Sequence, residues 1–344
     1  MDPKLLEKIV NTPGIPGHED LVQDIVIEEF GACCDETRRD RIGNAFGVKK
    51  ATNPPEGRDR PFRIALAAHA DEIGMMVKHI DDSGFIRFIP VGGLNAQAII
   101  SQYVIVHGKE PVQGVIVAKG GSGGKGPDPK EMLIDVALPG DKVKELVTPG
   151  DPVSFKQEMV KLNDKVYAGR NFDDRIGTYC LVEAMKQLGP TAVDVHAIST
   201  VQEEVGLRGA RPAAFSVAPD AALAIDGSMT WGAHVAKHQN PCGIGEGTGI
   251  YIVDNLTIGD RRLVKFLCDL AEREKIPYQR NIGGGTDARA MQQSGAGSLA
   301  TTVGAPVRYM HTTGQICHVD DIEATIALLK AFAENAHELL EKVS

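Results

Sequence analysis

The stretch Phe-Arg-Ile-Ala-Leu-Ala-Ala-His-Ala-Asp-Glu-Ile-Gly-Met-Met-Val, residues 62–77, marks the point where two kinds of structure meet. Its first part, residues 62–68, is a short apolar run that ends at the polar His69, which is typical of a buried strand. After Met-Met-Val the character of the sequence changes. We therefore expect a strand of one domain to lead directly into a second domain of different construction.

That second domain is predicted from residues 78–163, where Gly, Pro and Asp separate short β-rich runs and helical signal is almost absent. Examples are Gly-Phe-Ile-Arg-Phe-Ile-Pro (84–90) and Tyr-Val-Ile-Val-His-Gly (103–108). The Gly-rich segment Gly120–Pro129 is predicted to be a flexible loop. The pattern indicates a small all-β domain inserted at residues 71–163.

From Val166 onward, predicted strands and helices alternate. The helices are expected at 176–188, 261–275 and 321–343, and the strands at 193–201, 221–225 and 298–303. Such alternation indicates an α/β fold, and the 344 residues exceed what one hydrophobic core usually supports. We predict a mixed, largely parallel sheet flanked by helices, in a discontinuous domain of residues 1–70 and 164–344.

Composition excludes several classes of partner. The formal net charge is -9 and no basic run stands out, which argues against nucleic acid. The first ten residues lack the apolar core of a signal peptide, and no apolar run approaches the roughly 20 residues of a membrane helix. The six Cys include no CxxC pair and are expected to be free thiols. We therefore expect a cytoplasmic protein without a membrane partner.

Imidazoles and carboxylates follow apolar runs at widely separated positions in the chain. Ligands bind outside the carboxyl ends of parallel strands, so these side chains are expected to converge. His and carboxylate ligands suit Zn, Co or Mn, and no thiolate is placed to compete with them. The pattern predicts an enzyme with a pair of divalent ions. The residues are His69, Asp173, Glu203, Glu204, Asp226 and His311.

The first two motifs also have ordinary structural interpretations. His69 could be a core histidine with an acidic neighbour, although Asp71 would also suit the second nitrogen of a metal-bound ring. Asp173 or Asp174 could cap the helix that follows, although a carboxylate there can also bridge two cations. These two acids could divide the two tasks between them.

The later motifs leave similar alternatives. Glu203 and Glu204 could be a solvated pair, but two adjacent acids after an apolar strand are costly to bury without partners. Neighbouring side chains on an extended chain point apart, so one could bind metal while the other acts as general base. Asp226 could equally form a turn. For Asp287, in Gly-Gly-Gly-Thr-Asp-Ala (283–288), substrate contact and loop shape both remain open.

Blocks along nearly the whole chain resemble the M42 family of metallo-aminopeptidases, the tetrahedral aminopeptidase group that also includes glutamyl aminopeptidases and cellulase M-like proteins. They occur in the family's order, which makes a chance match very improbable. The blocks include Pro-Gly-Ile-Pro-Gly-His-Glu (13–19), His-Ala-Asp-Glu-Ile-Gly-Met-Met-Val (69–77), Phe-Asp-Asp-Arg-Ile-Gly (172–177), Gln-Glu-Glu-Val-Gly-Leu-Arg-Gly-Ala (202–210), Gly-Gly-Gly-Thr-Asp-Ala (283–288) and Arg-Tyr-Met-His (308–311).

The resemblance implies two divalent metal ions per subunit, with zinc the first expectation and cobalt or manganese as alternatives. One ion would be held by His69 and Asp226, and the other by Glu204 and His311. Asp173 would bridge the two ions.

The resemblance also implies an activity and roles for two further residues. Asp71 would orient His69, and Glu203 would be the general base that deprotonates the water bridging the ions. The implied reaction removes N-terminal residues from short peptides with a free N-terminus.

Assembly is a further implication. The inserted domain would be a dimerisation domain, and the α/β domain would be zinc-peptidase-like and catalytic. Family members often assemble as homo-oligomers, including tetrahedral dodecamers built from dimers. One departure concerns the segment after His311, where the family usually has Ser-Pro and then Glu. Here Thr-Thr-Gly-Gln (312–315) follows, so side-chain orientation and substrate preference at this place stay open.

Three rival functions remain on sequence grounds. Another di-metal amidohydrolase, such as a carboxypeptidase or deacetylase, could use the same core. A glycoside hydrolase would need Glu203, a second carboxylate and no metal, and an aromatic content of 5% with one Trp makes sugar stacking a weaker expectation. A non-catalytic scaffold that binds metal only for structure is the third.

Overall fold

The computed structural model describes residues 1–118, 128–233 and 235–343. The predicted loop Gly120–Pro129 lies outside these ranges except for its last two residues. Within them, no helix combines the length and the apolar character needed to cross a membrane.

Helices and strands alternate through much of the described chain. The helices are α1 (Pro3–Asn11), α2 (Asp20–Gly31), α3 (Ala96–Ile99), α4 (Gly140–Leu146), α5 (Phe172–Gln187), α6 (Ala210–Val217), α7 (Arg261–Glu274), α8 (Ala288–Gln292) and α9 (Val319–Val343). The strands are β1 (Glu36–Arg39), β2 (Ala45–Lys49), β3 (Arg63–His69), β4 (Gly74–Ile80), β5 (Ile86–Val91), β6 (Tyr103–His107), β7 (Pro111–Val117), β8 (Leu133–Asp135), β9 (Pro152–Phe155), β10 (Val160–Asn163), β11 (Val166–Gly169), β12 (Asp194–Thr200), β13 (Ala221–Ile225), β14 (Ser228–Met229), β15 (Thr248–Asp254), β16 (Tyr278–Gly283), β17 (Leu299–Gly304), β18 (Pro306–Arg308) and β19 (Gln315–His318).

The largest sheet of the described chain has the strand order β1-β2-β12-β3-β13-β17-β15-β16, and with its helices it confirms the α/β class. The four central strands β12, β3, β13 and β17 are parallel, whereas β2 and β15 join them antiparallel at either side. In the register, Thr200 pairs with His69, and Ile225 pairs with Ala68. The strands β12, β3 and β13 therefore end at the same level, and the segments that follow them begin at the same edge of the sheet.

Both faces of β3 are covered, which explains its continuous apolar sequence. Ile64, Leu66 and Ala68 face the larger core, on the side of α5 and α9. Ala65 and Ala67 face a smaller core with α6 and α8. A strand buried on both faces shows an uninterrupted apolar run rather than an alternating pattern.

The inserted segment closes into a barrel, whose described strands have the order β4-β5-β8-β7-β6-β9. These strands lie between Gly74 and Phe155, within the predicted insertion. The prediction of an all-β segment is wrong in one detail, because α3 and α4 lie inside it. These helices have four and seven residues, which is too short for helical periodicity to show in the sequence.

A second, smaller sheet was not predicted. Its described strands have the order β10-β11-β19-β18-β14 and contain two to four residues each, too few for a recognisable pattern. The turn between β18 and β19 carries His311. This sheet therefore determines where the last candidate ligand lies relative to the main sheet.

Candidate metal centre

His69 is the last residue of β3 and is almost fully buried. Its Nδ1 lies 3.1 Å from the backbone oxygen of Asp71, to which it donates a hydrogen bond when it carries the ring proton. Its Nε2 lies 3.2 Å from Oδ1 of Asp173. Since the carbonyl holds one ring nitrogen, the other is left as a candidate metal ligand.

Asp173 lies between two imidazoles. Its Oδ1 faces His69, and its Oδ2 lies 3.3 Å from Nε2 of His311. Nε2 of His311 is also 3.6 Å from Oε1 of Glu204, while its Nδ1 is 3.1 Å from the backbone oxygen of Gly93. Each oxygen of the Asp173 carboxylate thus faces a different imidazole, as a carboxylate that bridges two cations requires.

All the predicted ligands and the predicted base line one cavity of about 480 Å³. The ligand atoms of His69, Asp173 and Glu204 lie within 4.8 Å of one another, close enough to hold a metal ion. The remaining members of the predicted set in this lining are Glu203, Asp226 and His311. Residues from five separate parts of the chain therefore meet at the carboxyl edge of the main sheet.

Asp71 is fully buried behind this group. Its two carboxylate oxygens accept hydrogen bonds from the backbone amides of Glu203, at 2.9 Å, and Glu204, at 3.0 Å. The carboxylate is 3.6 Å from Nδ1 of His69, whose closer contact is the Asp71 backbone oxygen. The Asp71 side chain therefore holds the backbone of the two glutamates, in addition to lying beside the His69 ring.

Two further side chains hold the same loop and were missed by sequence reasoning. The amide of Val201 donates to Oδ1 of Asn44 at 3.0 Å, and that of Gln202 donates to Oε1 of Glu19 at 3.1 Å. All four amides of residues 201–204 thus donate to side chains from elsewhere in the chain. The one sequence signal for Glu19 is its place at the end of Pro-Gly-Ile-Pro-Gly-His-Glu, and Asn44 has none.

The adjacent acids Asp173 and Asp174 have separate contacts. Asp174 has non-helical backbone angles within α5 and accepts hydrogen bonds from the amides of Gly177, at 3.0 Å, and His69, at 3.2 Å. It therefore caps the regular part of α5 and holds the end of β3. The amide of Asp173 donates to Oε1 of Gln315 at 2.8 Å. Gln315 belongs to the segment that departs from the M42 pattern, and its buried side chain holds the backbone of the candidate bridging residue.

Asp287 lies outside the lining of the cavity, although its neighbour Thr286 belongs to it. Oδ2 of Asp287 accepts a 2.6 Å hydrogen bond from the hydroxyl of Thr200, at the end of β12. Its Oδ1 is buried without a partner among the described residues, and burial raises the pKa of the carboxyl to about 6. Of the two roles left open, these contacts favour shaping the strand end over contacting substrate.

Burial makes ionisation unfavourable for three carboxyls of the cavity. It raises the pKa of Glu204 to about 7 and holds the pKa values of Glu203 and Asp226 well above the usual range. Neighbouring carboxylates add to the effect, because like charges destabilise one another. A cation placed among these groups would stabilise their charged forms.

The imidazoles have the opposite influence on Asp173. Although burial disfavours its charge, hydrogen bonds from His311 and His69 hold the pKa of Asp173 well below its usual value. The contact with Asp173 in turn raises the pKa of His311 to about 9. Nitrogen and carboxylate donors in a buried cluster of acids fit divalent Zn, Co or Mn, so the residues of this site are suited to bind a divalent ion.

Known proteins that are similar to this chain include aminopeptidases. The sequence profile of M42 glutamyl aminopeptidase matches residues 44–328. The lysyl aminopeptidase of Pyrococcus furiosus is 31% identical over 355 residues, covering 97% of this chain and 97% of that protein. An aminopeptidase structure from the archaeon Desulfurococcus kamchatkensis has a TM-score of 0.94 and 34% identity, covering 99% of this chain and 97% of that one. The TET1 peptidase of Pyrococcus horikoshii, which can assemble into a tetrahedron or a large octahedral shell, has a TM-score of 0.85 and 31% identity, covering 96% of this chain and 98% of that one.

Proposed function

The chain belongs to the M42 glutamyl aminopeptidase family and is a peptide hydrolase, and from this we propose that it uses two divalent ions to remove N-terminal residues from short peptides. The observation that carries the proposal is the position of Asp173 between His69 and His311, at 3.2 and 3.3 Å. A carboxylate with one oxygen toward each imidazole is suited to bridge two ions.

The other ligands divide between the two ions. Asp226 follows the strand beside His69 and would complete the first ion site. Glu204 lies 3.6 Å from His311 and would complete the second. Zinc is the first expectation, and cobalt and manganese remain alternatives because the same donors suit all three.

Glu203 is the proposed general base. Divalent ions bound at this site would polarise the scissile carbonyl and acidify a water molecule. Glu203 lines the cavity without being one of the ligands, and its backbone is held by Asp71. Burial raises the pKa of Glu203 well above the usual range, so its carboxylate is suited to take a proton from the attacking water and pass it to the leaving amine.

Assembly into a homo-oligomer is also proposed. The support is the similarity to the TET1 peptidase, which can assemble into a tetrahedron or a large octahedral shell. We propose the inserted segment of residues 71–163, which contains the barrel, as the dimerisation domain and the rest of the chain as the catalytic domain. A tetrahedral dodecamer would admit only short peptides. The cytoplasmic location stays a prediction from the sequence.

Metal removal tests the proposed function. Chelator-stripped protein is expected to lose hydrolysis of aminoacyl anilides and short peptides, and addition of Zn, Co or Mn singly should restore it. The same substrates with an acetylated N-terminus are the control and should stay intact. Cleavage of blocked substrates, or no hydrolysis of any substrate with two ions bound per chain, would favour another di-metal amidohydrolase. No hydrolysis in a protein that binds no metal would overturn the proposal.

Replacing Asp71 with Ala removes both acceptors from the adjacent amides of Glu203 and Glu204. Activity or metal affinity should fall about 10–100-fold, the usual effect of losing a partner that holds metal ligands. Steady-state kinetics and metal titration would measure this. Asp81→Ala is the matched control, because Asp81 accepts two backbone amides in a barrel hairpin away from the cavity. Equal behaviour of the two variants would remove Asp71 from the proposed machinery.

A further inference from the structure

Part of the cavity lining is built from aliphatic and thioether side chains. The lining contains Met229, Leu256 and Met310, which we call the apolar wall. Leu256 is 41% exposed and Met229 is 37% exposed, so both retain apolar surface that a ligand could cover. The cavity lining therefore combines charged side chains, suited to the reacting groups, with apolar side chains.

Glycines next to the side chains of the apolar wall leave room for them. A Cβ on Gly227 would lie 3.2 Å from Cε of Met310, and a Cβ on Gly285 would collide with Leu256. Gly227 directly follows Asp226, and Met310 directly precedes His311. Met310 is thus covalently adjacent to one candidate ligand and lies close to the glycine that follows another, so the apolar wall reaches the candidate metal centre.

Apart from the proposed metal ions, their ligands and the base, the described cavity lining offers no counter-charge to an ionised side chain. Among its described lining residues there is no Lys or Arg. The hydroxyl of Tyr251 donates to the backbone oxygen of Gly227 at 2.9 Å, and that of Thr286 pairs with the hydroxyl of Thr302 at 2.7 Å. The polar groups on this side are therefore already engaged with the protein.

Building on the proposed function, we infer that the apolar wall receives the side chain of the substrate's N-terminal residue and selects neutral apolar residues such as Leu and Met. A glutamyl side chain would be desolvated beside buried acids, with no Lys or Arg among the described lining residues to pair with it. A lysyl side chain would find carboxylates already committed to metal or to proton transfer. The chain would then differ in specificity from its lysyl-specific relative and from the glutamyl description of its family.

A substrate panel tests this inference. Leucyl, methionyl, alanyl, lysyl and glutamyl anilides are compared on the metal-loaded protein. The value of kcat/KM for leucyl anilide should exceed that for each of the alanyl, lysyl and glutamyl anilides by at least ~10-fold, since one methylene in an apolar pocket already contributes about 10-fold or more. Lysyl or glutamyl anilide cleaved as well as leucyl anilide would overturn the pocket and leave the aminopeptidase proposal standing. If none of the five anilides were hydrolysed, both the apolar pocket and the aminopeptidase proposal would be overturned.

Charge substitution at the wall gives an independent measurement. Leu256→Arg places a cation in the apolar wall and should raise the glutamyl-to-leucyl ratio of kcat/KM by at least ~10-fold, because it supplies a side-chain partner for the glutamyl carboxylate. Ile258→Arg is the matched control, since Ile258 lies two residues further on, is 77% exposed and does not line the cavity. Met229→Arg carries the same test if Leu256→Arg does not fold. An unchanged ratio in a folded wall variant would overturn the inference.

Discussion

Replacing Glu203 with Gln is expected to lower kcat by roughly 10²–10⁴-fold while both metal ions stay bound, which is the usual scale of a general base. Glutamine keeps the shape of the side chain but cannot accept the proton. Glu203 lines the cavity beside the ligands, and its amide is held by Asp71, so the backbone has no reason to move. The loss should therefore be in the chemical step and not in metal binding.

The measurement combines steady-state kinetics on an aminoacyl anilide with metal analysis of the purified variant. Glu183→Gln serves as the control, because Glu183 is also a buried glutamate but lies in α5, outside the cavity lining. Near-normal turnover of Glu203→Gln would refute the role of Glu203. A loss of turnover accompanied by a loss of metal would instead make Glu203 a ligand.

Replacing Asp173 with Asn should have the second large effect, a drop in bound metal from two ions per chain together with a fall in activity. Asn offers one oxygen where Asp173 offers two, and the two oxygens face different imidazoles. The activity loss should exceed the ~10–100-fold range that is typical of residues acting behind the ligands. Removing one negative charge also weakens the attraction of the cavity for cations.

Metal content per chain and kcat/KM at saturating metal are the two readouts. Asp141→Asn is the control for loss of one carboxylate, since Asp141 is exposed on α4. Two tightly bound ions in Asp173→Asn, with activity close to the parent, would show that Asp173 does not bridge. Loss of activity with full metal content would assign it a role in turnover alone.

Several features of this protein can be predicted locally because short sequence patterns carry them. The runs before His69 and Asp226 are continuous and apolar, as expected of strands covered on both faces, and each ends in a polar side chain. The strand at 221–225 has the predicted bounds, and the helix predicted at 261–275 is found at Arg261–Glu274. Local pattern also places the adjacent acids Glu203 and Glu204 just beyond a strand.

Other features leave no local trace. The five strands of the small sheet have four residues or fewer, so neither alternation nor an apolar run can be recognised. The helices α3 and α4, which lie between strands of the barrel, have four and seven residues and are also too short to show helical periodicity. The role of Gln315 is also hidden, because the resemblance to the M42 pattern fails in that segment and its partner, Asp173, is 142 residues away.

By itself, the sequence determined the α/β class and predicted the place of the insertion and the set of candidate ligands, because burial and strand ends are recorded in neighbouring residues. Only the tertiary structure decided how these side chains are held and which others share their cavity. Asn44 and Glu19 hold the Glu203 loop through hydrogen bonds that span 157 and 183 residues. The apolar wall likewise joins side chains from separate segments of the chain. Such contacts depend on the register and packing of the sheets, which no short stretch of sequence contains.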